Sequence, residues 1–171
     1  MSRCLIVVDM QNDFIDGSLG TSEAQAIIPN VKKKIEEYIT RGDEIIFTRD
    51  THYFDYLKTN EGKHLPIKHC TLHTHGWEIH PKIDNKHYLH LDKEAFGYIH
   101  WGDWVSHHTK EFEVVGLCTD ICVISNVLIL KAAFLEAEVT VDASCCAGTS
   151  PEKHKAALEV MKSCQINVIN E

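Results

Sequence analysis

The sequence predicts an α/β fold in three layers, with a Rossmann-like sheet of about six mainly parallel strands and helices on both faces. Short apolar runs of strand length alternate along the chain with segments of helical periodicity, which is the pattern of βαβ units. The 171 residues suffice for one hydrophobic core and leave little for a second. We therefore expect a single domain over residues 1–171.

Each predicted element follows from a local pattern. Apolar runs predict strands near residues 3–8, 43–48, 86–91, 112–117, 138–142 and 166–169. Helical patterns cover residues 28–41, 121–136 and 151–163. Pro151 fits the first turn of the last helix, with Ser150 before it as the N-cap. A further short helix is expected between about 95 and 110, over a pocket at the end of the sheet.

Composition excludes several classes of partner. The formal net charge of −8 and the lack of a basic cluster oppose nucleic-acid binding. No stretch approaches the roughly 18 unbroken apolar residues of a membrane span, and the first residues run directly into a strand instead of a signal peptide. The seven cysteines are irregularly spaced, which favours reduced thiols. We expect a cytoplasmic protein that contacts neither nucleic acid nor membrane.

Three reactive side chains fall where predicted strands end. Asp9 ends the first strand, Lys93 follows the third, and Cys122 lies where the fourth gives way to a helix. A helix start favours a thiolate and can bind an oxyanion. Ligand chemistry collects at the carboxyl ends of parallel strands, so these groups can meet in one crevice. Taken singly, an inert core cysteine, a turn-capping carboxylate and a surface lysine remain open.

A second constellation lies in the histidine-rich stretch from residue 50 to residue 80. Asp50 and His52 are two residues apart and point to the same side of an extended segment, and Glu61 and His69 follow. Two imidazoles and two carboxylates suit zinc, iron or manganese. The other histidines of the stretch are interpreted as solvated surface residues.

Five segments resemble the isochorismatase-like cysteine hydrolases and, among them, the nicotinamidases; they cover residues 9–14, 48–52, 66–70, 93–96 and 116–123. The resemblance implies that Asp9, Lys93 and Cys122 form the catalytic set. It implies that the backbone N–H groups of Cys118 and Cys122 form the oxyanion hole. It also implies a cis peptide bond between Leu117 and Cys118.

The same resemblance implies one divalent metal ion beside the catalytic set, able to bind a pyridine nitrogen or position water. Its ligands would be Asp50, His52, Glu61 and His69. Many nicotinamidases have a further histidine where this chain has Lys58, so we assign the remaining ligand to Glu61 by similarity to those with a carboxylate in this segment. Zinc is the expected metal, with iron and manganese as alternatives.

The function that the resemblance implies is hydrolysis of nicotinamide to nicotinate and ammonia through a thioester, a step of NAD salvage. Phe14, Phe96 and Trp101 are expected to form the apolar wall that holds the aromatic amide. Two alternatives stay open: an amidase of the same superfamily acting on a carbamoyl or ureido compound, and a non-catalytic binding protein of this fold. Relatives often assemble, so a homo-oligomer is expected.

Overall fold

The computed structural model describes residues 2–171, and within them six parallel strands form one sheet. The strands are β1 (Arg3–Val8), β2 (Glu44–Asp50), β3 (Leu89–Lys93), β4 (Glu111–Leu117), β5 (Glu138–Ala147) and β6 (Asn167–Ile169). Their order is β3-β2-β1-β4-β5-β6, with parallel pairing throughout. The chain therefore builds outward in opposite directions from β1 and β4. A crevice is expected outside the carboxyl ends of these two strands.

The helices are α1 (Asn12–Ile15), α2 (Ser22–Ala26), α3 (Ile28–Arg41), α4 (Asn60–His64), α5 (Trp101–Trp104), α6 (Ile124–Ala133) and α7 (Pro151–Ser163). Two short 3₁₀ turns cover Tyr56–Lys58 and His75–Trp77, and a π-helical turn covers Thr119–Val123. The Ser150 side chain accepts a hydrogen bond from the Lys153 N–H, so the predicted N-cap of α7 is confirmed. Among residues 2–171, none of the helices is long and apolar enough to cross a membrane.

The core lies on both faces of the sheet, because successive strand residues point in opposite directions. Ile6 of β1 packs in a cluster with Val127 of α6 and Met161 of α7. Its neighbour Leu5 packs in the other cluster with Val31 of α3. This arrangement confirms the predicted three-layer, Rossmann-like α/β fold.

Three strands reach further toward the site than the apolar runs indicated, and the longest extension is that of β5, which continues to Ala147 instead of ending at residue 142. β2 continues to Asp50, and β3 spans Leu89–Lys93 instead of beginning at residue 86. The extensions of β2 and β3 are polar in sequence, yet Asp50 pairs with Lys93 across the two strands. The expected helix over residues 121–136 also differs, since it begins as the π-helical turn and ends at Ala133.

The short helix expected between about 95 and 110 is α5, but none of its residues lines the cavity that contains Cys122. Trp101 is completely buried in the cluster beneath α6, and its ring packs edge-on against Tyr98. A large apolar ring at a helix start serves the core as well as a binding wall, and here burial in the core prevails. The structure therefore corrects our assignment of Trp101 to the substrate wall.

Candidate active site

Lys93 brings the three predicted catalytic residues together. Its Nζ atom lies 2.6 Å from Asp9 Oδ2 and 3.5 Å from Cys122 Sγ. The same nitrogen lies 3.3 Å from Asp50 Oδ1 and donates a hydrogen bond to the Ala95 carbonyl over 3.1 Å. Asp9 follows β1, Lys93 ends β3, and Cys122 lies in the turn after β4. The convergence expected from strand ends is present in the structure.

Close approach of β1 and β4 sets the positions of Asp9 and Cys122. Gly116 has a φ of +120°, and a Cβ atom there would overlap the backbone of Val8. Only glycine accommodates both conditions at this position. The peptide bond between Leu117 and Cys118 is cis, as the resemblance implied.

Asp9 is completely buried and is held by the neighbouring strand. Its N–H donates to the Thr48 carbonyl over 3.2 Å, and the Thr48 hydroxyl donates to Asp9 Oδ1 over 2.6 Å. The other oxygen, Oδ2, faces Lys93 and has no well-aligned hydrogen-bond donor among residues 2–171. One carboxylate oxygen is therefore fixed, and the other is the acceptor available for a proton.

Burial and neighbouring charges have opposing effects on the pKa values of the three groups. Burial raises the pKa of Cys122 well above its usual value, with the Lys93 ammonium opposing that effect. Burial also raises the pKa of Asp9. Burial alone would lower the pKa of Lys93, but Asp9, Cys122 and Asp50 outweigh it and raise the pKa. These directions favour a charged lysine and a protonated resting thiol, which needs a base to become a nucleophile.

The turn that carries Cys122 is wound around one carbonyl group. The Cys118 carbonyl accepts hydrogen bonds from the N–H groups of Ile121 and Val123. Cys118 and Cys122 both line the same cavity, as the predicted oxyanion hole requires. The use of their N–H groups to bind an oxyanion remains a prediction.

That cavity has a volume of about 510 Å³, within the range of small-molecule sites. Its walls are largely apolar, and they include Phe14 and Phe96 but not Trp101. A second cavity of about 500 Å³ adjoins it and shares Glu61, His64 and Phe96 with it. Phe96 therefore forms part of the partition between the two cavities, and its side chain is 45% exposed.

The four predicted metal ligands form one group in this partition. Asp50, His52, Glu61 and His69 each offer a donor atom, and these atoms all lie within 4.8 Å of one another. His52 Nε2 lies 2.8 Å from Asp50 Oδ2 and 3.4 Å from Glu61 Oε1. His69 Nε2 lies 3.5 Å from Asp50 Oδ2 and 3.8 Å from Glu61 Oε1. The end of β2, the helix α4 and the loop before Cys70 bring these four residues together, although they are separated along the sequence.

The donor group fits a divalent cation. His52 Nε2 is buried without a hydrogen-bond partner among residues 2–171, although Asp50 Oδ2 is near, because the angle is unsuitable. His69 uses Nδ1 on the Ile67 carbonyl over 2.8 Å, which leaves Nε2 for a metal. Burial would lower the pKa of His52, but Asp50 and Glu61 raise it to about 9. Two carboxylates thus hold a positive charge at this point, and a metal ion would replace the proton.

Sequence reasoning assigned no role to two polar residues that hold the metal-ligand segments. The buried Gln11 side chain donates to the Asp50 carbonyl over 2.8 Å and accepts from the Asp50 N–H over 2.7 Å. Asp13 accepts a hydrogen bond from the Cys70 N–H over 2.8 Å, next to His69. Both lie in the segment 9–14, so the motif was the available signal, but their partners were not visible in the sequence.

The family model of the isochorismatase domain matches residues 3–171. The chain belongs to the isochorismatase family. This family member is 26% identical to the nicotinamidase of Saccharomyces cerevisiae over 99% of the chain and 100% of that protein. It is also 26% identical to the nicotinamidase/pyrazinamidase of Mycobacterium tuberculosis over 98% of both chains. These findings confirm the resemblance stated from the motifs.

A solved structure supports the same relationship. The pyrazinamidase of Pyrococcus horikoshii in complex with zinc superposes with a TM-score of 0.85 at 29% identity, covering 100% of both chains. The isochorismatase-family fold therefore extends over the whole described chain.

Proposed function

We propose that this chain is a metal-dependent nicotinamidase, which hydrolyses nicotinamide to nicotinate and ammonia. Its family and its nicotinamidase relatives make it a hydrolase of amide C–N bonds. The observation that carries the finer proposal is the position of Asp50. One of its oxygens lies 3.3 Å from Lys93 Nζ, and the other lies 2.8 Å from His52 Nε2. Asp50 thus joins the metal-ligand group to the catalytic lysine, and Asp50, Glu61 and His69 line the same cavity as Cys122.

The proposed reaction begins with proton transfer from the Cys122 thiol to Asp9. The sulfur then attacks the amide carbonyl, and the N–H groups of Cys118 and Cys122 stabilise the oxyanion. Protonated Asp9 gives its proton to the departing ammonia as the tetrahedral intermediate collapses to a thioester. Lys93 stays charged throughout, because it faces two carboxylates and the sulfur in a buried site.

The second half of the cycle uses the same groups. Asp9 takes a proton from water, the resulting hydroxide attacks the thioester carbonyl, and nicotinic acid forms as Cys122 leaves. The acid then loses its proton to solvent and becomes nicotinate. The leaving thiolate recovers its proton from Asp9. Burial of Asp9 supports this double role, because it raises the pKa of the carboxyl group toward neutral pH.

Asp50, His52, Glu61 and His69 would hold the proposed metal ion. A divalent metal supplies a Lewis acid that binds the pyridine nitrogen or polarises water. Zinc is the proposed ion because its sites take nitrogen and oxygen donors in fourfold sets, and iron or manganese would accept the same donors. The zinc in the Pyrococcus horikoshii relative supports this choice.

Phe14 and Phe96 are the proposed aromatic walls for the small-molecule substrate, since both line the cavity that contains Cys122. An apolar wall on each side of a flat ring leaves its amide and ring nitrogen for the polar groups. Nicotinate formed here would serve as a precursor of NAD, which makes NAD salvage the proposed role.

Ammonia release from nicotinamide tests the proposal. Purified protein is stripped of metal, reloaded with zinc, manganese or iron, and compared with Cys122→Ala under the same conditions. We expect metal-dependent release that vanishes in the variant. No release from any loaded sample of folded protein, with Cys122 still rapidly alkylated, would exclude nicotinamide and favour a carbamoyl or ureido amide. Failure of alkylation as well would favour a non-catalytic binding protein.

A further inference from the structure

We propose that Asn126 is a positioning residue, which sets the place of the Phe96 wall relative to Cys122 and thereby controls the binding of aromatic amides. The inference rests on the proposed function for its substrate, although the contacts that support it do not depend on that function. Asn126 lies on α6, one helical turn after the nucleophile, and is completely buried.

The Asn126 side chain joins two separate segments of the site. Its Nδ2 donates to the Cys122 carbonyl over 2.8 Å and to the Phe96 carbonyl over 3.2 Å. Its Oδ1 accepts from the Tyr98 N–H over 2.8 Å. A carboxamide has two donor hydrogens and one acceptor oxygen. These three hydrogen bonds therefore use both donor hydrogens and the oxygen. An aliphatic residue of similar size would make none of them.

The segment it holds has no regular secondary structure. Residues 94–100 lie between β3 and α5 and form only bends. Just before the segment, Lys93 Nζ donates to the Ala95 carbonyl, which fixes its first residues to the catalytic lysine. On either side of Gly97, the Phe96 carbonyl accepts a hydrogen bond from Asn126 Nδ2, and the Tyr98 N–H donates one to Asn126 Oδ1.

Close packing explains why this segment follows α6 so tightly. A Cβ atom at Gly97 would overlap the side chain of Ile129, one turn further along the helix. The backbone therefore lies directly on the helix, and Phe96 is carried on that backbone with its ring at the partition between the two cavities. Because Phe96 is 45% exposed, its packing is incomplete, and the hydrogen bonds of the neighbouring backbone determine where the ring is placed.

Loss of the two anchors to Phe96 and Tyr98 should act mainly on binding, and loss of the bond to the Cys122 carbonyl should change kcat only slightly. Lys93 remains held by strand pairing with Asp50 and by its ion pair with Asp9. We therefore expect Asn126→Ala to raise KM for nicotinamide roughly tenfold, with kcat changed less than about threefold. Asn126→Asp keeps the acceptor for Tyr98 but places a second acceptor against the carbonyl groups of Phe96 and Cys122, so its KM should rise at least as much as that of Asn126→Ala.

A double-mutant cycle with Phe96→Ala tests whether Asn126 acts through the ring. We expect Asn126→Ala to have no further effect on KM in the Phe96→Ala background. Equal effects in both backgrounds, or a loss of kcat with KM unchanged, would overturn the proposal. Val127→Ala is the matched control. Val127 is the next residue of α6 and is completely buried, but its aliphatic side chain cannot form hydrogen bonds with the 94–100 segment.

Two further readouts do not depend on nicotinamide hydrolysis. Amide hydrogen exchange in residues 94–100 should rise roughly tenfold in Asn126→Ala and not in Val127→Ala at similar overall stability. In Asn126→Ala, the alkylation rate of Cys122 with N-phenyliodoacetamide should fall while the rate with iodoacetamide stays the same. Only the aromatic reagent needs the Phe96 wall. If the wild-type protein leaves nicotinamide intact, the proposed function fails while these readouts still decide the role of Asn126. Unchanged exchange in residues 94–100 of Asn126→Ala overturns it.

Discussion

Lys93 Nζ lies 2.6 Å from Asp9 Oδ2, and both side chains are almost completely shielded from solvent. Removing either charge from such a pair leaves the other buried without its partner. The pair lies under the nucleophile and is also in contact with the metal-ligand group through Asp50. Its charges are therefore tied to both parts of the site.

Lys93→Met should lower the free energy of unfolding by about 3 kcal/mol, because Asp9 and Asp50 lose the buried cation that they share. The double variant Asp9→Asn with Lys93→Met should regain part of that loss, since fewer unpaired charges remain. Urea denaturation of the metal-free proteins measures both values. A double variant less stable than Lys93→Met would contradict this account of the pair.

Cys122→Ala should reduce the turnover of nicotinamide by roughly 10⁴-fold, because no other group replaces the covalent step. Cys118→Ala is the matched control, since it removes a second thiol from the same cavity but keeps the backbone N–H. We expect this control to retain activity within about threefold of the wild type. Initial rates of ammonia release measure both variants, and an equal loss in the two would show that the nucleophile was misassigned.

The sequence located the reactive groups because each lies inside a short contiguous motif. Asp9, Lys93 and Cys122 are far apart along the chain, yet each lies at the end of a strand or just after it, and parallel strands bring their carboxyl ends to one edge of the sheet. The four metal donors were predictable for a related reason, since few loops contain so many imidazoles and carboxylates. Their four donor atoms meet in the structure, within 4.8 Å of one another.

The residues that position these groups could not be identified in this way. Gln11 binds the Asp50 backbone across 39 residues, and Asn126 binds the Tyr98 N–H across 28 residues. Such contacts involve backbone groups of the partner, so the partner's side chain carries no trace of them. The assignment of Trp101 to the substrate wall was wrong for a different reason, because an aromatic residue looks the same in the sequence whether it lies in a core or in a binding wall.

The contacts of the buried Asp142 carboxylate, on β5, predict that the protein loses stability at acid pH. Asp142 accepts from the Ser144 hydroxyl over 2.7 Å and lies 2.9 Å from Lys34 Nζ. Burial would raise the pKa of Asp142, but these two contacts outweigh it and lower the pKa below its usual value. The stabilisation is therefore fully present above the unfolded pKa of about 3.9 and is lost as the pH falls through the folded value.

Asp142→Asn tests this dependence of stability on pH. At pH 7 the variant should be about 1–2 kcal/mol less stable, since it loses the charged contact with Lys34. Below pH 4 the difference from the wild type should shrink, because the wild-type carboxyl then takes up a proton. Urea denaturation between pH 3 and pH 7 provides the comparison. A difference that stays constant over this range would assign the effect to packing instead of charge.

Glu61→Gln should weaken zinc binding by roughly 100-fold, because an amide oxygen replaces a charged ligand in a group that also contains Asp50, His52 and His69. His64→Gln is the matched control: His64 lies on the same short helix and lines the same cavities, but it is exposed and outside the donor group. Zinc titration of chelator-treated protein by calorimetry gives the affinities. Thermal unfolding gives an independent measure, since zinc at 100 times its Kd should stabilise the wild type by about 2.7 kcal/mol. Equal affinities for the two variants would remove Glu61 from the metal site and leave a three-residue ligand set.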